Sequence, residues 1–183
     1  MSAHHLFASL PNLISLGRLV LVPIIVSLII QPEWQLAFVL FLVAGVSDAV
    51  DGWLAKRFDL RTELGAYLDP IADKALLVSI YVSLAVIGVL PATLVILVVS
   101  RDVMIVGAVM VAWLLDKPME IRPLLISKLN TLAQIAFACA VLAAKAFAFP
   151  LGMWFTLSVY VVAALTLASA AAYLTQWVRH MDL

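Results

Sequence analysis

A bundle of six membrane-spanning α-helices is the fold class that this sequence predicts, and three observations carry that expectation. Of 183 residues, 66% are hydrophobic and 12% are charged, whereas a soluble domain is nearer half apolar and a quarter charged. The apolar residues fall in runs of about 20, the length that crosses a hydrocarbon core of roughly 30 Å as a helix. Short polar or proline-bearing breaks separate the runs. A net charge of zero leaves no basic footprint, so a nucleic-acid partner is excluded, together with a soluble globular domain and a disordered chain. The single cysteine, Cys139, excludes a disulfide framework and a Cys-type zinc site. It lies among alanines in an apolar run and reads as packing.

The first run covers 13–30, interrupted by Arg18 and by Pro23, a kink that a membrane helix tolerates. Residues 3–10 read as a short interfacial segment before it. They lack the basic region and cleavage site of a signal peptide, so the first span is expected to be retained. The break Gln31-Pro32-Glu33 leads to a second run over 34–55, closed by the polar stretch 56–63. A third run covers 64–89, and Pro91 opens a fourth that reaches 115. After a polar break at 116–123, a fifth run covers 124–146, and Pro150 precedes a sixth ending near 178. No repeat or linker divides the chain, so 1–183 is read as one domain.

Orientation follows from Lys and Arg in the short loops. With six alternating spans, Lys56, Arg57, Arg61, Lys117, Arg122 and Arg179 share one side, while the opposite links at 31–33, 88–91 and 147–150 carry neither. Both termini and the longer loops are therefore expected on the cytoplasmic face of an inner (plasma) membrane. Trp34, Trp113, Trp154 and Trp177 lie near span ends, as interfacial anchors do.

Nine charges fall inside or at the mouths of apolar spans: Arg18, Asp48, Asp51, Asp69, Asp73, Lys74, Arg101, Asp102 and Lys128. Each costs about 2.5–3.5 kcal/mol on insertion scales, and such residues usually face a bundle interior. Asp48, Asp51, Gly52 and Ala55 are spaced i, i+3, i+4, i+7, one stripe of a helix; Gly65, Asp69 and Asp73 form a second stripe. If the second and third helices are antiparallel neighbours, Asp51 and Asp69 both lie roughly 9 Å below their shared loop, and Asp48 and Asp73 about 13–15 Å below it. Four carboxylates then converge on one pocket. Like charges cannot all stay ionised there without compensation, and two divalent cations would balance them. An all-oxygen donor set suits Mg²⁺, Mn²⁺ or Ca²⁺, and paired ions can clamp a phosphoryl group. Gly52, Ala55 and Gly65 would let a diphosphate approach the backbone, or would serve close helix packing. Arg101 and Lys128 suggest an acceptor bearing a phosphate; alternatively Arg101 pairs with Asp102 or the carboxylate cluster. Lys74 is expected to neutralise Asp73 or Asp69, or to act at the site. Arg18 is read as a donor-phosphate contact or as a snorkelling anchor.

The segment Asp48-x-x-Asp51-Gly52-x-x-Ala55-Lys56, followed after eight residues by Gly65-x-x-x-Asp69-x-x-x-Asp73, resembles the signature of the CDP-alcohol phosphatidyltransferases. The opening Pro11-Asn12-Leu13-Ile14-Ser15 with Arg18 resembles the family's first helix, and six helices is the family's architecture. The resemblance implies that a CDP-linked lipid donor, CDP-diacylglycerol, binds over two divalent cations, Mg²⁺ or Mn²⁺. Asp48, Asp51, Asp69 and Asp73 would be metal ligands, and Asp73 would also be the catalytic base. Asn12, Gly52, Ala55, Lys56 and Gly65 would hold the donor nucleotide. Lys56 stands where the family usually has Arg, so a planar two-pronged donor is replaced by a point charge. An acceptor hydroxyl would displace CMP. Residues 100–104 and 126–131 resemble segments of the family's mitochondrial-type cardiolipin synthases, which use phosphatidylglycerol. The alternative is phosphatidylglycerophosphate synthesis from glycerol 3-phosphate. The resemblance also implies a homodimer. From a different class, a cation transporter would need polar residues on both sides of the site, whereas the outer stretches 36–46 and 76–89 carry no charge.

Overall fold

The computed structural model describes the backbone of residues 3–57, 63–114 and 124–181, and the side chains of 16–50, 72–108, 110–112, 114 and 124–179. Six helices follow in order: α1 (Ala3–Ile30), α2 (Trp34–Arg57), α3 (Glu63–Val86), α4 (Ala92–Leu114), α5 (Leu125–Ala146) and α6 (Gly152–Met181). Among the described residues there is no strand. Among the described residues, three stretches are long and apolar enough to cross a membrane: Ala92–Ala112, Leu125–Ala146 and Gly152–Arg179.

The element boundaries lie within a few residues of the apolar runs, with one larger difference. Helix α1 begins at Ala3 and continues through Pro11, so 3–10 is part of the first helix and not a separate segment. Proline removes one donor from the ladder but leaves the remaining bonds of the turn in place, which long apolar helices tolerate. Helix α3 likewise runs through Pro70. It ends in a left-handed turn at Gly88, with φ +76°. There the Val89 N–H donates to the Leu84 carbonyl (2.8 Å) and the Gly88 N–H to that of Ala85 (3.0 Å), satisfying carbonyls that the helix end would otherwise orphan.

Helix α1 packs on both α2 and α3; α3 packs in addition on α4 and α5, α2 on α5, and α6 on α4 and α5. Among the described residues α2 and α3 do not pack on each other, which corrects the expectation of directly adjacent neighbours. Both pack on α1 instead, whose Arg18 reaches a carboxylate on each.

The bundle is divided along its length. Ile25 and Ile29 of α1, Phe41 of α2, Ile80 and Leu84 of α3, Leu94 and Val98 of α4, Phe137 and Leu142 of α5 and Val162 of α6 form one buried apolar cluster. All of these lie toward the end carrying the short links at 31–33, 87–91 and 147–151. Phe137 stacks on Phe155 with ring centroids 5.8 Å apart. Of the buried polar residues, Arg18, Arg101, Asp102, Asn130, Thr166 and Ser169 gather toward the other end, while Ser83 lies in the apolar half. Of the tryptophans, Trp154 is exposed, as an anchor should be. The Trp177 Nε1–H donates to the Ala108 carbonyl (3.0 Å) and ties α6 to α4. The Trp113 side chain lies outside the described residues.

Ile80 is fully buried in the apolar half. Ile80→Ala is expected to lower unfolding stability by about 2 kcal/mol, the low end of the cost of a core cavity, because lipid rather than water is the competing environment. Titration of purified protein with denaturing detergent, followed by loss of helicity, measures this.

Candidate active site

The polar half contains a cavity of about 350 Å³. Arg18 contributes from α1, Gly45 and Asp48 from α2, Asp73 and Lys74 from α3, Asp102 from α4, and Thr131 and Gln134 from α5; Phe41, Leu76, Leu77 and Ile135 supply an apolar wall. The charged rim therefore joins four helices that are far apart in sequence.

Arg18 is the central group. Its side chain is 2% exposed, although α1 offers no acidic partner nearby in sequence. Its Nη2 lies 2.6 Å from Asp48 Oδ1, and its Nη1 donates to Asp73 Oδ1. One guanidinium thus holds a carboxylate from α2 and another from α3. Both carboxylates are about half exposed, at 41% and 49%, so they border the cavity. A planar fork that serves two acceptors is the geometry for which Arg is suited and Lys is not. Neither the donor-phosphate reading nor the snorkelling reading of Arg18 describes this role.

A second charged knot lies on α4. Asp102 Oδ1 accepts from Arg101 Nη1 (2.6 Å) and from Lys74 Nζ (2.6 Å). Lys74 therefore pairs across to α4 and not with Asp73, its neighbour in sequence; adjacent residues on a helix point about 100° apart. Arg101 also donates through Nε (3.1 Å) and Nη2 (2.7 Å) to Ser169 Oγ of α6, and through Nη2 to Ser127 Oγ of α5. Its guanidinium carbon lies 5.5 Å from the Tyr173 ring centroid. At 4% exposure, this side chain locks α4 to α5 and α6. A smaller buried network adjoins it. Tyr81 Oη donates to the Gln134 carbonyl (3.0 Å), Gln134 Nε2 to Thr166 Oγ1 (3.3 Å), and Thr166 Oγ1 lies 3.0 Å from Asn130 Oδ1.

The structure thus brings Asp48 and Asp73 of the expected cluster together at one cavity. The side chains of Asn12, Asp51, Gly52, Ala55, Lys56, Gly65 and Asp69 lie outside the described residues. Arg101 and Lys128, expected at an acceptor phosphate, do not line the cavity. Arg101 is taken up by Asp102, Ser127 and Ser169, and Lys128 is exposed. The described cations on the cavity wall are Arg18 and Lys74. Sequence reasoning missed the Arg18 bridge and the Ser127 and Ser169 contacts. The available signal was an Arg in an apolar run with no acidic residue within helical reach, which demands a partner from another helix.

Among the described residues no three acidic, histidine or cysteine side chains stand close enough to hold a metal ion. The donors that are described nevertheless fit hard divalent cations: two carboxylates from different helices, held within reach of one cationic group and open to a cavity. Such ions take oxygen ligands.

Comparison with known proteins places the sequence in a family. Residues 8–175 match the sequence model of the family described as CDP-alcohol phosphatidyltransferase. The chain is 33% identical over 181 residues to the human cardiolipin synthase (CMP-forming), with 90% of this chain and 60% of that protein covered. It is 33% identical over 186 residues to the CDP-diacylglycerol–glycerol-3-phosphate 3-phosphatidyltransferase 1, chloroplastic, of Oryza sativa subsp. japonica, covering 91% of the chain and 56% of the relative. It is 32% identical over 149 residues to the CDP-diacylglycerol–glycerol-3-phosphate 3-phosphatidyltransferase of Bacillus subtilis, covering 73% and 76% respectively. The chain thus spans about three fifths of the length of the human and rice relatives.

Asp102 compensates two cations, one buried and one half exposed. Asp102→Asn leaves Arg101 buried without its counter-charge and is expected to cost about 3–5 kcal/mol of unfolding stability. Lys74→Met, which removes the half-exposed partner (48%), should cost less than about 1 kcal/mol. Equilibrium unfolding of the two variants side by side checks the contrast.

Proposed function

Because the chain belongs to the CDP-alcohol phosphatidyltransferase family, we propose that it transfers the phosphatidyl group of CDP-diacylglycerol to the hydroxyl of phosphatidylglycerol, giving cardiolipin and CMP. The observation that carries the reading is the convergence of Asp48 and Asp73, from two helices of the family signature, on one cavity in the polar half of the bundle. In this reading the acceptor oxygen attacks the phosphorus bearing diacylglycerol, the bond to the CMP oxygen breaks, and the acceptor proton passes to Asp73. Asp48, Asp51, Asp69 and Asp73 would hold two divalent cations, Mg²⁺ or Mn²⁺. When bound, such a pair offsets negative charge on the attacking and leaving oxygens. Asn12, Gly52, Ala55, Lys56 and Gly65 are assigned to the donor nucleotide on the family resemblance.

The lining supports a lipid acceptor. Phe41, Leu76, Leu77 and Ile135 give the cavity an apolar wall, which suits acyl chains near a phosphodiester. The buried Arg101 is already engaged by other groups and offers little to a doubly charged phosphomonoester. Glycerol 3-phosphate remains the second reading, favoured by the rice and Bacillus relatives, whose names specify it. We place all six helices across the membrane as one domain, since each is 22–30 residues long and about 20 suffice to span it. In this reading the Lys- and Arg-bearing loops, and the cavity with them, face the cytoplasmic side of a bacterial inner membrane, as a positive-inside bias supports. A homodimer is part of the same reading.

Asp69→Asn is expected to abolish CMP release from CDP-diacylglycerol while the protein remains folded in membranes; retention of most of the activity would remove Asp69 from the metal site. Chelation should stop turnover and Mg²⁺ or Mn²⁺ should restore it. Incubation with CDP-diacylglycerol, Mn²⁺ and each acceptor, with products resolved by mass, identifies the alcohol. A lipid with four acyl chains supports phosphatidylglycerol, and one with two chains and a terminal phosphate supports glycerol 3-phosphate.

A further inference from the structure

We propose that Arg18 is a resident counter-charge for the metal site: its guanidinium neutralises Asp48 and Asp73 when no cation is bound and yields those carboxylates when one binds. This rests on the proposed metal-dependent reading of the site and concerns a residue from outside the carboxylate helices. Three observations carry it. Arg18 reaches both Asp48 Oδ1 and Asp73 Oδ1, the two described carboxylates of the expected ligand set. Its side chain is 2% exposed while theirs are 41% and 49% exposed, so the cation approaches from the protein side and the carboxylates keep a face toward the cavity. Among the described residues, the other cation on the cavity wall, Lys74, is paired with Asp102.

Two carboxylates held together in a low-dielectric setting repel each other unless a positive charge stands between them. In this bundle the positive charge is built into α1. A guanidinium and a divalent cation then compete for the same oxygens. The competition has two measurable sides. The fixed charge stabilises the metal-free bundle, because it ties α1 to α2 and α3. The same charge weakens the binding of an incoming ion, because electrostatic work is spent on separating or approaching it. A group that merely braced the helices would stabilise the metal-free and metal-loaded protein alike and would leave ion affinity unchanged.

The test uses the full chain purified in lipid nanodiscs, with Mn²⁺ binding read from the loss of the free-ion electron paramagnetic resonance signal and thermal midpoints read from tryptophan fluorescence. Arg18→Gln removes the charge; Arg18→Lys keeps the charge and loses the two-pronged fork. The expected result for Arg18→Gln is a midpoint several degrees lower without Mn²⁺, Mn²⁺ affinity about tenfold tighter (about 1.4 kcal/mol), and a midpoint near that of the unaltered protein once Mn²⁺ saturates. Arg18→Lys should keep Mn²⁺ affinity within about threefold of the unaltered protein while lowering the metal-free midpoint. Unchanged or weaker Mn²⁺ affinity in Arg18→Gln, or an equal fall of both midpoints, overturns the proposal and leaves Arg18 a brace. If Arg18→Gln does not fold, Arg18→Lys decides: tenfold weaker Mn²⁺ binding by that variant overturns the proposal. Failure of the unaltered protein to bind Mn²⁺ would instead overturn the metal reading on which the proposal rests.

Discussion

Bringing carboxylates from separate helices to one cavity inside an apolar bundle requires a compensating charge, and in this protein a single arginine on α1 supplies it for the described pair. Arg18 connects Asp48 on α2 with Asp73 on α3, and α1 accordingly packs on both helices. The rest of the polar half is arranged around that contact. Lys74, one residue beyond Asp73, turns toward α4, where Asp102 also receives Arg101. Arg101 then reaches α5 and α6 through Ser127 and Ser169. Two basic and acidic knots thereby link all six helices, while dispersion and close packing hold the opposite half.

The division between the halves shapes what the cavity can hold. Its rim is charged and its wall toward the buried core is built from Phe41, Leu76 and Leu77, so a ligand with a polar headgroup and apolar tails meets matching surfaces. That amphipathic character agrees with membership of a family acting on CDP-linked alcohols.

Much of this was legible in the sequence because helical spacing and apolar run length are local properties. The runs located the six helices to within a few residues, apart from the early start of α1. The spacing of Asp48 and Asp73 within their own runs marked them as residues of one site, and the signature 48–73 agrees with the family match over 8–175. What escaped was the partnering between distant helices. Arg18 is 55 residues from Asp73, and Arg101 is 68 residues from Ser169; no periodicity reports such pairs. Ser127 and Ser169 resemble the small residues common in packed membrane helices. The adjacency of α2 and α3 was inferred from their short connection, but chain proximity does not reveal that, among the described residues, each packs on α1 and not on the other.

Among the described residues, the buried cluster from Ile25 to Val162 carries no ionised group. An ion that entered from the charged rim would therefore have to shed its water and receive no replacement ligands in order to continue, at a cost of many kcal/mol. The apolar half is thus an insulating plug behind the polar socket.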